Sequence, residues 1–298
     1  MILSKAKKIF LAHIAIIIAI LIWGSTYFVI KDSLNGIHPV TLVFYRFIIA
    51  TGIMGVILTI KRINPFYGIH RGINLGMILW LLYIPQTIGL MYVSASSSGF
   101  LISLYIIIIP IITTIFMKNK ITVQRIVSII VALCGLYVVT GGISSIGFGD
   151  SITIVAAFAI AFQYLLVDYY LKQKADPLVI CFQQFLFLTI WTFITVLLIG
   201  APFTITGDTA FYQMLYLALF PSVVAYILQT HSQLYITPMT VAIFGVLEPI
   251  SAAFFAWTLG GEKMMPMKAA GGFIIVLAIL IAEIQIKKKR KNKKFKFS

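Results

Sequence analysis

Residues 83–105 read YIPQTIGLMYVSASSSGFLISLY, and residues 226–248 read YILQTHSQLYITPMTVAIFGVLE. The two stretches align without a gap at a constant offset of 143 residues, and the alignment extends over 83–140 and 226–283. The shared positions are polar and aromatic as well as apolar: Tyr83, Gln86, Thr87 and Tyr92 recur as Tyr226, Gln229, Thr230 and Tyr235. An earlier stretch repeats at offset 138, where Phe47 recurs as Phe185. The pattern indicates two copies of one unit.

The composition places both copies in a membrane. Of the 298 residues, 61% are hydrophobic and only 10% are charged, whereas soluble proteins have roughly 25% charged residues. This composition excludes a soluble enzyme, a disordered protein and an ordinary nucleic-acid-binding domain. Ten apolar segments, each near the ~17–25 residues of a membrane span, lie at roughly 11–31, 39–60, 73–93, 96–117, 123–141, 151–171, 177–199, 209–235, 238–260 and 266–286.

Each unit holds five of these segments, and an odd number means that the second copy enters the membrane from the opposite side. The sequence therefore predicts an all-α polytopic membrane protein with ten transmembrane helices arranged as two inverted five-helix repeats. The first repeat covers 1–141, the second covers 151–286, and a basic tail covers 287–298. Inverted repeats are a common transporter architecture, in which the substrate binds near the membrane midplane between the repeats.

The basic residues predict the orientation. If the N-terminus is cytoplasmic, eleven basic residues in short loops and the eight of the tail share the cytoplasmic side. Only Lys31, Lys263 and Lys268 then lie outside. We therefore expect a multi-pass protein of the cell (inner or plasma) membrane with both termini in the cytoplasm. The tail is explained by contact with anionic lipid, and nothing in the sequence supports a nucleic-acid partner.

Two charged residues, Glu248 and Arg46, lie well away from the ends of their apolar segments, where an unpartnered charge is costly. Glu248 lies near the middle of the ninth segment and precedes Pro249. It could bind an amino group, carry a coupling proton, or bond the backbone that the proline frees. Arg46 lies in the second segment. Its guanidinium could hold a substrate carboxylate, or it could extend outward or bond backbone carbonyls.

Other polar and aromatic side chains at membrane depth are expected to face the interior of the helix bundle. Gln86 and Gln229 occupy matching positions in the two copies, where they could line two vestibules or join neighbouring helices. The candidate residues of a substrate cavity are Glu248, Arg46, Trp23, Tyr83, Gln86, Tyr105, Gln163, Tyr226, Gln229 and Trp257. Glu248 is also the candidate for coupling transport to protons.

Two stretches carry a family resemblance. WGSTYFVIKDSL at 23–34, followed by PVTLVFYRFIIA at 39–50, resembles the start of the EamA-type drug/metabolite transporters. IFGVLEPISAAFFAWTLGGEKMMPMKAAGGFIIV at 243–276 resembles the second-half signature, with the pairs Glu248-Pro249 and Gly261-Glu262. The first half departs from the pattern at Tyr105-Ile106 and at Lys118-Asn119. The resemblance implies two EamA repeats, cytoplasmic ends, a central cavity and export of small metabolites, among which amino acids are frequent.

The functional expectation is a secondary transporter that exports small polar metabolites, with amino acids or similar zwitterions favoured. Cationic drugs or other metabolites are an alternative on the same fold. A membrane-embedded enzyme or a lipid-handling scaffold is the alternative of another class. The sequence has no G-x-x-x-x-G-K-[ST] motif for ATP and no clustered His, Asp or Glu pattern for catalysis. We expect no enzyme activity, no cofactor and no metal, with a small molecule as partner and protons as a candidate one.

Overall fold

A computed structural model describes residues 5–116, 123–142 and 146–289, and this part of the chain is built from helices. The helices of the first half are α1 (Lys5–Ser33), α2 (Pro39–Ile60), α3 (His70–Tyr92), α4 (Ala95–Ile102), α5 (Tyr105–Phe116) and α6 (Val123–Thr140). Those of the second half are α7 (Phe148–Lys172), α8 (Pro177–Ile199), α9 (Asp208–Leu217), α10 (Ala225–Ser232), α11 (Pro238–Gly245), α12 (Leu247–Thr258) and α13 (Pro266–Lys289). A π-helical segment, Ala218–Val224, joins α9 to α10.

Seven helical stretches are long and apolar enough to cross a membrane. They are Ala6–Ser33, Pro39–Ile60, His70–Tyr92, Ala95–Ile115, Phe148–Lys172, Pro177–Ile199 and Asp208–Ser232. Three further apolar helices within the described residues are shorter, at Ile126–Thr140, Ile243–Thr258 and Pro266–Ile281. The prediction of an all-helical polytopic membrane protein is confirmed. The count of ten crossings stays a prediction, and the tail at 287–298 lies outside the residues whose side chains are described.

Short polar caps and prolines begin several of these helices. Pro39, Pro177, Pro238 and Pro266 each occupy the first position of a helix, where a missing N–H costs nothing. The Asp176 carboxylate accepts a hydrogen bond of 2.8 Å from the Leu178 N–H at the start of α8. This bond satisfies a backbone donor that the first helical turn leaves without a partner.

Three of the predicted continuous segments are interrupted. The ninth segment breaks at Val246, between α11 and α12, because Pro249 has no N–H to bond the Gly245 carbonyl one turn earlier. The fourth breaks between α4 and α5, at the equivalent position of the first repeat, and tightens into a turn where the Leu104 N–H bonds the Leu101 carbonyl. The eighth contains the π-helical segment around Pro221.

The two halves of the chain pack against each other along most of their length. Contacts join α2 to α8, α6 to α13, α3 to α7 and α8, and α1 to α10 and α12. Small residues permit close approach at these crossings. A Cβ on Gly76 of α3 would lie 2.4 Å from Phe187 Cβ on α8, and one on Gly271 of α13 would lie 2.7 Å from the backbone nitrogen of Val139 on α6. The helices around the centre are therefore held close enough to enclose a small polar space.

Candidate functional site

A buried cavity lies where α1, α2, α3 and α4 of the first half meet α7, α10 and α12 of the second half. Its volume is about 30 Å³, which is room for roughly one water molecule. All but three of its lining residues carry a polar atom in the side chain. The lining residues are Trp23, Thr26, Tyr27, Arg46, Leu82, Tyr83, Gln86, Ile102, Ile160, Gln163, Tyr164, Tyr226, Gln229 and Glu248.

Glu248 forms one charged side of the cavity and is 3% exposed. Its Oε1 accepts a hydrogen bond of 2.7 Å from the Tyr27 hydroxyl, and its Oε2 accepts one of 3.1 Å from the Tyr105 hydroxyl. A carboxylate that accepts on both oxygens is suited to the ionised, acceptor-only form. The break at Val246 places Glu248 in the first turn of α12, where the positive end of the helix dipole favours a negative charge.

Arg46 is the second charged residue of the cavity lining and is 2% exposed. Its Nε donates a hydrogen bond of 2.6 Å to Ser222 Oγ. The guanidinium also lies over the rings of Tyr83 and Phe47, at 4.6 and 5.1 Å from their centroids, where the negative face of each ring attracts a cation. The guanidinium is thus held by neutral groups.

The π-helical segment explains why Ser222 is available to Arg46. Pro221 has no N–H and cannot continue the α-helical hydrogen-bond ladder. The Leu217 carbonyl instead accepts a hydrogen bond of 2.9 Å from Ser222 Oγ, which fixes that hydroxyl with its oxygen toward Arg46. The Pro221 carbonyl accepts a bond of 2.9 Å from Trp23 Nε1. One irregular turn therefore positions both Arg46 and Trp23.

Among the described residues, no ion pair joins Arg46 to Glu248 or to any other carboxylate. The described residues do contain an ion pair between Lys172 and Asp168, at 2.6 Å. It lies in a partly exposed turn of α7. Two opposite charges therefore face the same cavity, each held by uncharged partners. Buried charges are normally paired. A ligand with one negative and one positive group could pair with both Arg46 and Glu248.

Aromatic rings from both halves also line the cavity. The hydroxyls of Tyr83 and Tyr226 are 2.8 Å apart, and either one could donate the hydrogen bond. The Trp23 ring meets the Tyr226 ring edge-on at a centroid distance of 5.4 Å. These rings add apolar surface to the cavity that Arg46 and Glu248 line.

Glutamine side chains continue the wall away from the charges. Gln229 Nε2 donates to Gln163 Oε1 at 3.4 Å and to Gln233 Oε1 at 2.8 Å. Gln163 Nε2 donates to Gln184 Oε1 at 3.3 Å, and Gln233 Nε2 donates to the Tyr164 carbonyl at 3.1 Å. The predicted alternative that Gln229 joins neighbouring helices is therefore realised together with its position on the cavity wall.

Contacts between the two halves also join the segment after α12 to the start of α4. Glu262, in the loop between α12 and α13, accepts a hydrogen bond of 3.1 Å from the Ser96 backbone N–H and a second, very short one from the Ser96 hydroxyl. Lys268 of α13 donates to Ser94 at 3.4 Å. Thr237, the repeat equivalent of Ser94, caps α11 locally by accepting from the Thr240 N–H at 3.2 Å.

The sequence matches the model of the EamA-like transporter family twice, over residues 10–141 and 147–283. The chain belongs to the EamA-like transporter family. Two relatives from Archaeoglobus fulgidus, each described as an uncharacterized transporter, are similar to it. One is 26% identical over 290 residues, which is 95% of this chain and 89% of the relative. The other is 25% identical over 281 residues, which is 90% of this chain and 96% of the relative.

A solved crystal structure supports the fold of this EamA protein. It matches 97% of this chain and 100% of the other chain with a TM-score of 0.69, at 13% sequence identity. The family and its relatives make the protein a membrane transporter and not an enzyme. The recognised family resemblance is thereby confirmed.

The structure of this EamA protein brings eight of the ten candidate residues to one cavity. They are Trp23, Arg46, Tyr83, Gln86, Gln163, Tyr226, Gln229 and Glu248. Tyr105 lies behind Glu248 as its hydrogen-bond donor. Trp257 is half-buried on α12 and packs against the apolar core, and it does not line this cavity.

The sequence did not single out four polar residues of the site. Tyr27, Thr26 and Tyr164 line the cavity, and Ser222 holds Arg46. A helical-spacing signal was present for one of them, since Tyr27 follows Trp23 by four residues and therefore shares its face of the helix. Ser222 gave no such signal because its role depends on the irregular turn at Pro221.

Proposed function

We propose that this protein is a secondary transporter that exports small zwitterionic metabolites, such as amino acids, by alternating access. The observation that carries the proposal is that Arg46 and Glu248 line one cavity without pairing with each other. A guanidinium presents a planar fork that matches a carboxylate, and a carboxylate accepts hydrogen bonds from an ammonium group. A zwitterion supplies both groups within one small molecule.

The arrangement of the helices is proposed to be two inverted five-helix repeats with ten crossings. Residues that the sequence repeat equates contact each other: Tyr83 bonds Tyr226 at 2.8 Å, Tyr105 bonds Glu248 at 3.1 Å, Thr51 bonds Thr189 at 3.2 Å, and the rings of Phe47 and Phe185 are 5.3 Å apart. A residue can contact its own equivalent only where both lie close to the axis that relates the copies. These four pairs support a pseudo-two-fold axis through the cavity.

Alternating access would require the closed cavity to open to each side in turn. A volume of about 30 Å³ is too small for an amino acid, so we infer that the structure represents an occluded form. Opening one end would separate Ser96 from Glu262, which join the two halves there. The repeat equivalent of Glu262 is Asn119, which lies outside the described residues, so the sequence provides no matching carboxylate for the other end.

The orientation, the proton coupling and the direction of transport are proposed from the sequence. With both termini in the cytoplasm of the cell membrane, the basic tail would contact anionic lipid. Glu248 is the candidate that exchanges a proton for the substrate ammonium group, since it alone among the cavity residues carries a carboxyl group. Net export is the direction that the family resemblance implies.

Counterflow in proteoliposomes tests this proposal. Purified protein would be reconstituted in vesicles loaded with an unlabelled solute, and uptake of the same labelled solute would be measured. We expect counterflow for a neutral amino acid, less for its decarboxylated amine, and loss of the amino-acid signal in Arg46→Ala. Exchange of organic cations alone, unaffected by Arg46→Ala, would favour the cationic-drug alternative and contradict the zwitterion proposal.

A further inference from the structure

One wall of the cavity carries buried polar atoms that neither charged side uses. We call this the amide wall: Gln163, Tyr164 and Gln229, from α7 and α10, line the cavity, and Gln184 of α8 accepts a hydrogen bond from Gln163 behind them. Within the described part of the chain, the Tyr164 hydroxyl, Gln229 Oε1 and Gln184 Nε2 have no hydrogen-bond partner. Tyr164, Gln184 and Gln229 are all fully buried. Folded proteins rarely leave such groups unpaired, so each one needs an explanation.

The orientation of the Gln229 amide is fixed from outside the wall. The Tyr164 backbone carbonyl can only accept, so Gln233 must present its Nε2 to it, at 3.1 Å. Gln233 Oε1 then faces Gln229 and accepts from its Nε2 at 2.8 Å. If the Gln229 amide were rotated by half a turn, its Oε1 would face Gln233 Oε1, and two acceptor oxygens would repel each other. Gln229 Oε1 is therefore the atom left free, and it is an acceptor.

The free groups of this wall are complementary to each other. Gln229 Oε1 can accept a hydrogen bond, the Tyr164 hydroxyl can donate one, and Gln184 Nε2 can donate one. Tyr164 and Gln229 also line the cavity that Arg46 and Glu248 share. At offset 138, Gln184 is the repeat equivalent of Arg46, so the second half carries a neutral amide where the first half carries a charge.

We infer that the amide wall is a subsite for a neutral polar side chain of the transported zwitterion, a carboxamide or a hydroxyl. Such a group donates to Gln229 Oε1 and accepts from the Tyr164 hydroxyl. An aliphatic side chain does neither, and a carboxylate would face Gln229 Oε1 with a second acceptor. The inference rests on the proposed function, because the charged ends of the solute are assigned there to Arg46 and Glu248.

Three amino acids of nearly the same shape provide the test. Asparagine, leucine and aspartate differ at two terminal atoms, which are an amide, two methyl groups or a carboxylate. Each would compete with labelled asparagine counterflow in proteoliposomes of the full-length protein. We expect asparagine to compete about tenfold better than leucine or aspartate, since a buried polar group left unpaired costs roughly that much in affinity.

Variants connect this preference to the wall. Tyr164→Phe removes only a hydroxyl, and Gln229→Leu removes the free acceptor at similar volume. Each variant is expected to weaken competition by asparagine about tenfold. Competition by leucine should change by no more than a factor of about two. Gln86→Leu is the matched control, because Gln86 is the repeat equivalent of Gln229, lines the same cavity and has no fully buried polar atom that lacks a hydrogen-bond partner. Gln86→Leu should change competition by asparagine and competition by leucine to the same extent.

The outcomes separate the subsite from the proposed function. Equal competition by asparagine and leucine in the wild-type protein would overturn the subsite and leave the zwitterion proposal intact. The same conclusion follows if Tyr164→Phe and Gln229→Leu weaken both solutes equally. If none of the three amino acids exchanges, the proposed function itself is wrong and the subsite falls with it. Leucine exchange by the variants shows that they are folded.

Discussion

The arginine side and the glutamate side of the cavity are held by opposite halves of the chain. Arg46 belongs to the first half and is anchored by Ser222 of the second. Glu248 belongs to the second half and is anchored by Tyr27 and Tyr105 of the first. Each charge is therefore stabilised across the interface between the halves, and moving one half against the other would release both charges together.

The two sides differ in how firmly they are held. Glu248 has a separate phenol donor for each oxygen, whereas Arg46 has one hydroxyl and two aromatic faces. Hydrogen bonds to a charged group have a narrow geometry, while a cation over an aromatic face tolerates sliding. The comparison suggests a fixed carboxylate and an adaptable guanidinium in one cavity, and four substitutions test this difference.

The largest effect is expected for Glu248→Gln. The substitution keeps the size of the side chain and removes the negative charge that would hold an ammonium group or exchange a proton. We expect accumulation driven by a pH gradient to fall to the level of protein-free vesicles, and exchange to fall at least tenfold, as befits a lost charged hydrogen bond. Full pH-driven accumulation by this variant would exclude Glu248 as the coupling residue.

A smaller effect is expected for Ser222→Ala on the other side. Arg46 keeps its charge but loses its hydrogen-bond anchor, so KM for a zwitterion should rise about five- to tenfold, in line with one hydrogen bond to a charged group. The decarboxylated amine should be unaffected. Ser232→Ala is the control, because Ser232 is buried in the same helical stretch and, among the described residues, its hydroxyl bonds the Leu228 carbonyl and no charged group. If KM for the zwitterion changes equally in Ser222→Ala and Ser232→Ala, Ser222 does not position Arg46.

The smallest effects are expected for the two phenols. Tyr27→Phe and Tyr105→Phe each remove one of the two donors to Glu248, so the carboxylate keeps one partner in either variant. Exchange should fall about threefold in each, and more in Tyr27→Phe because its bond of 2.7 Å is shorter than the 3.1 Å bond of Tyr105. If exchange by the double variant equals exchange by either single variant, the two phenols do not contribute separately to holding Glu248.

The repeat explains why much of the cavity was predictable. Tyr83 and Gln86, polar or aromatic residues at membrane depth, recur as Tyr226 and Gln229, and all four line the cavity. A position that lies near an axis relating two copies faces the same space in both, so polar residues repeated there point to that space. Trp257 was selected only as an aromatic residue at membrane depth, and it lies elsewhere.

The interruptions of the helices were less predictable. Pro249 and Pro221 are visible in the sequence, and each removes a backbone donor. Whether a proline ends a helix or produces a π-helical turn depends on which partners reach the freed carbonyls. At Pro221 the hydroxyl of Ser222 bonds the Leu217 carbonyl, and the helix continues in a wider turn.

By itself the sequence determined a helical membrane protein, the repeated unit and the charged residues that must avoid lipid, because each follows from hydropathy and spacing along one chain. The tertiary structure alone decided that Ser222 reaches Arg46 and that Tyr27 reaches Glu248, across separations of 176 and 221 residues. It also decided which glutamine atoms are left without partners. Such contacts depend on how helices from opposite halves are rotated against each other, and helical spacing within one segment does not contain that rotation.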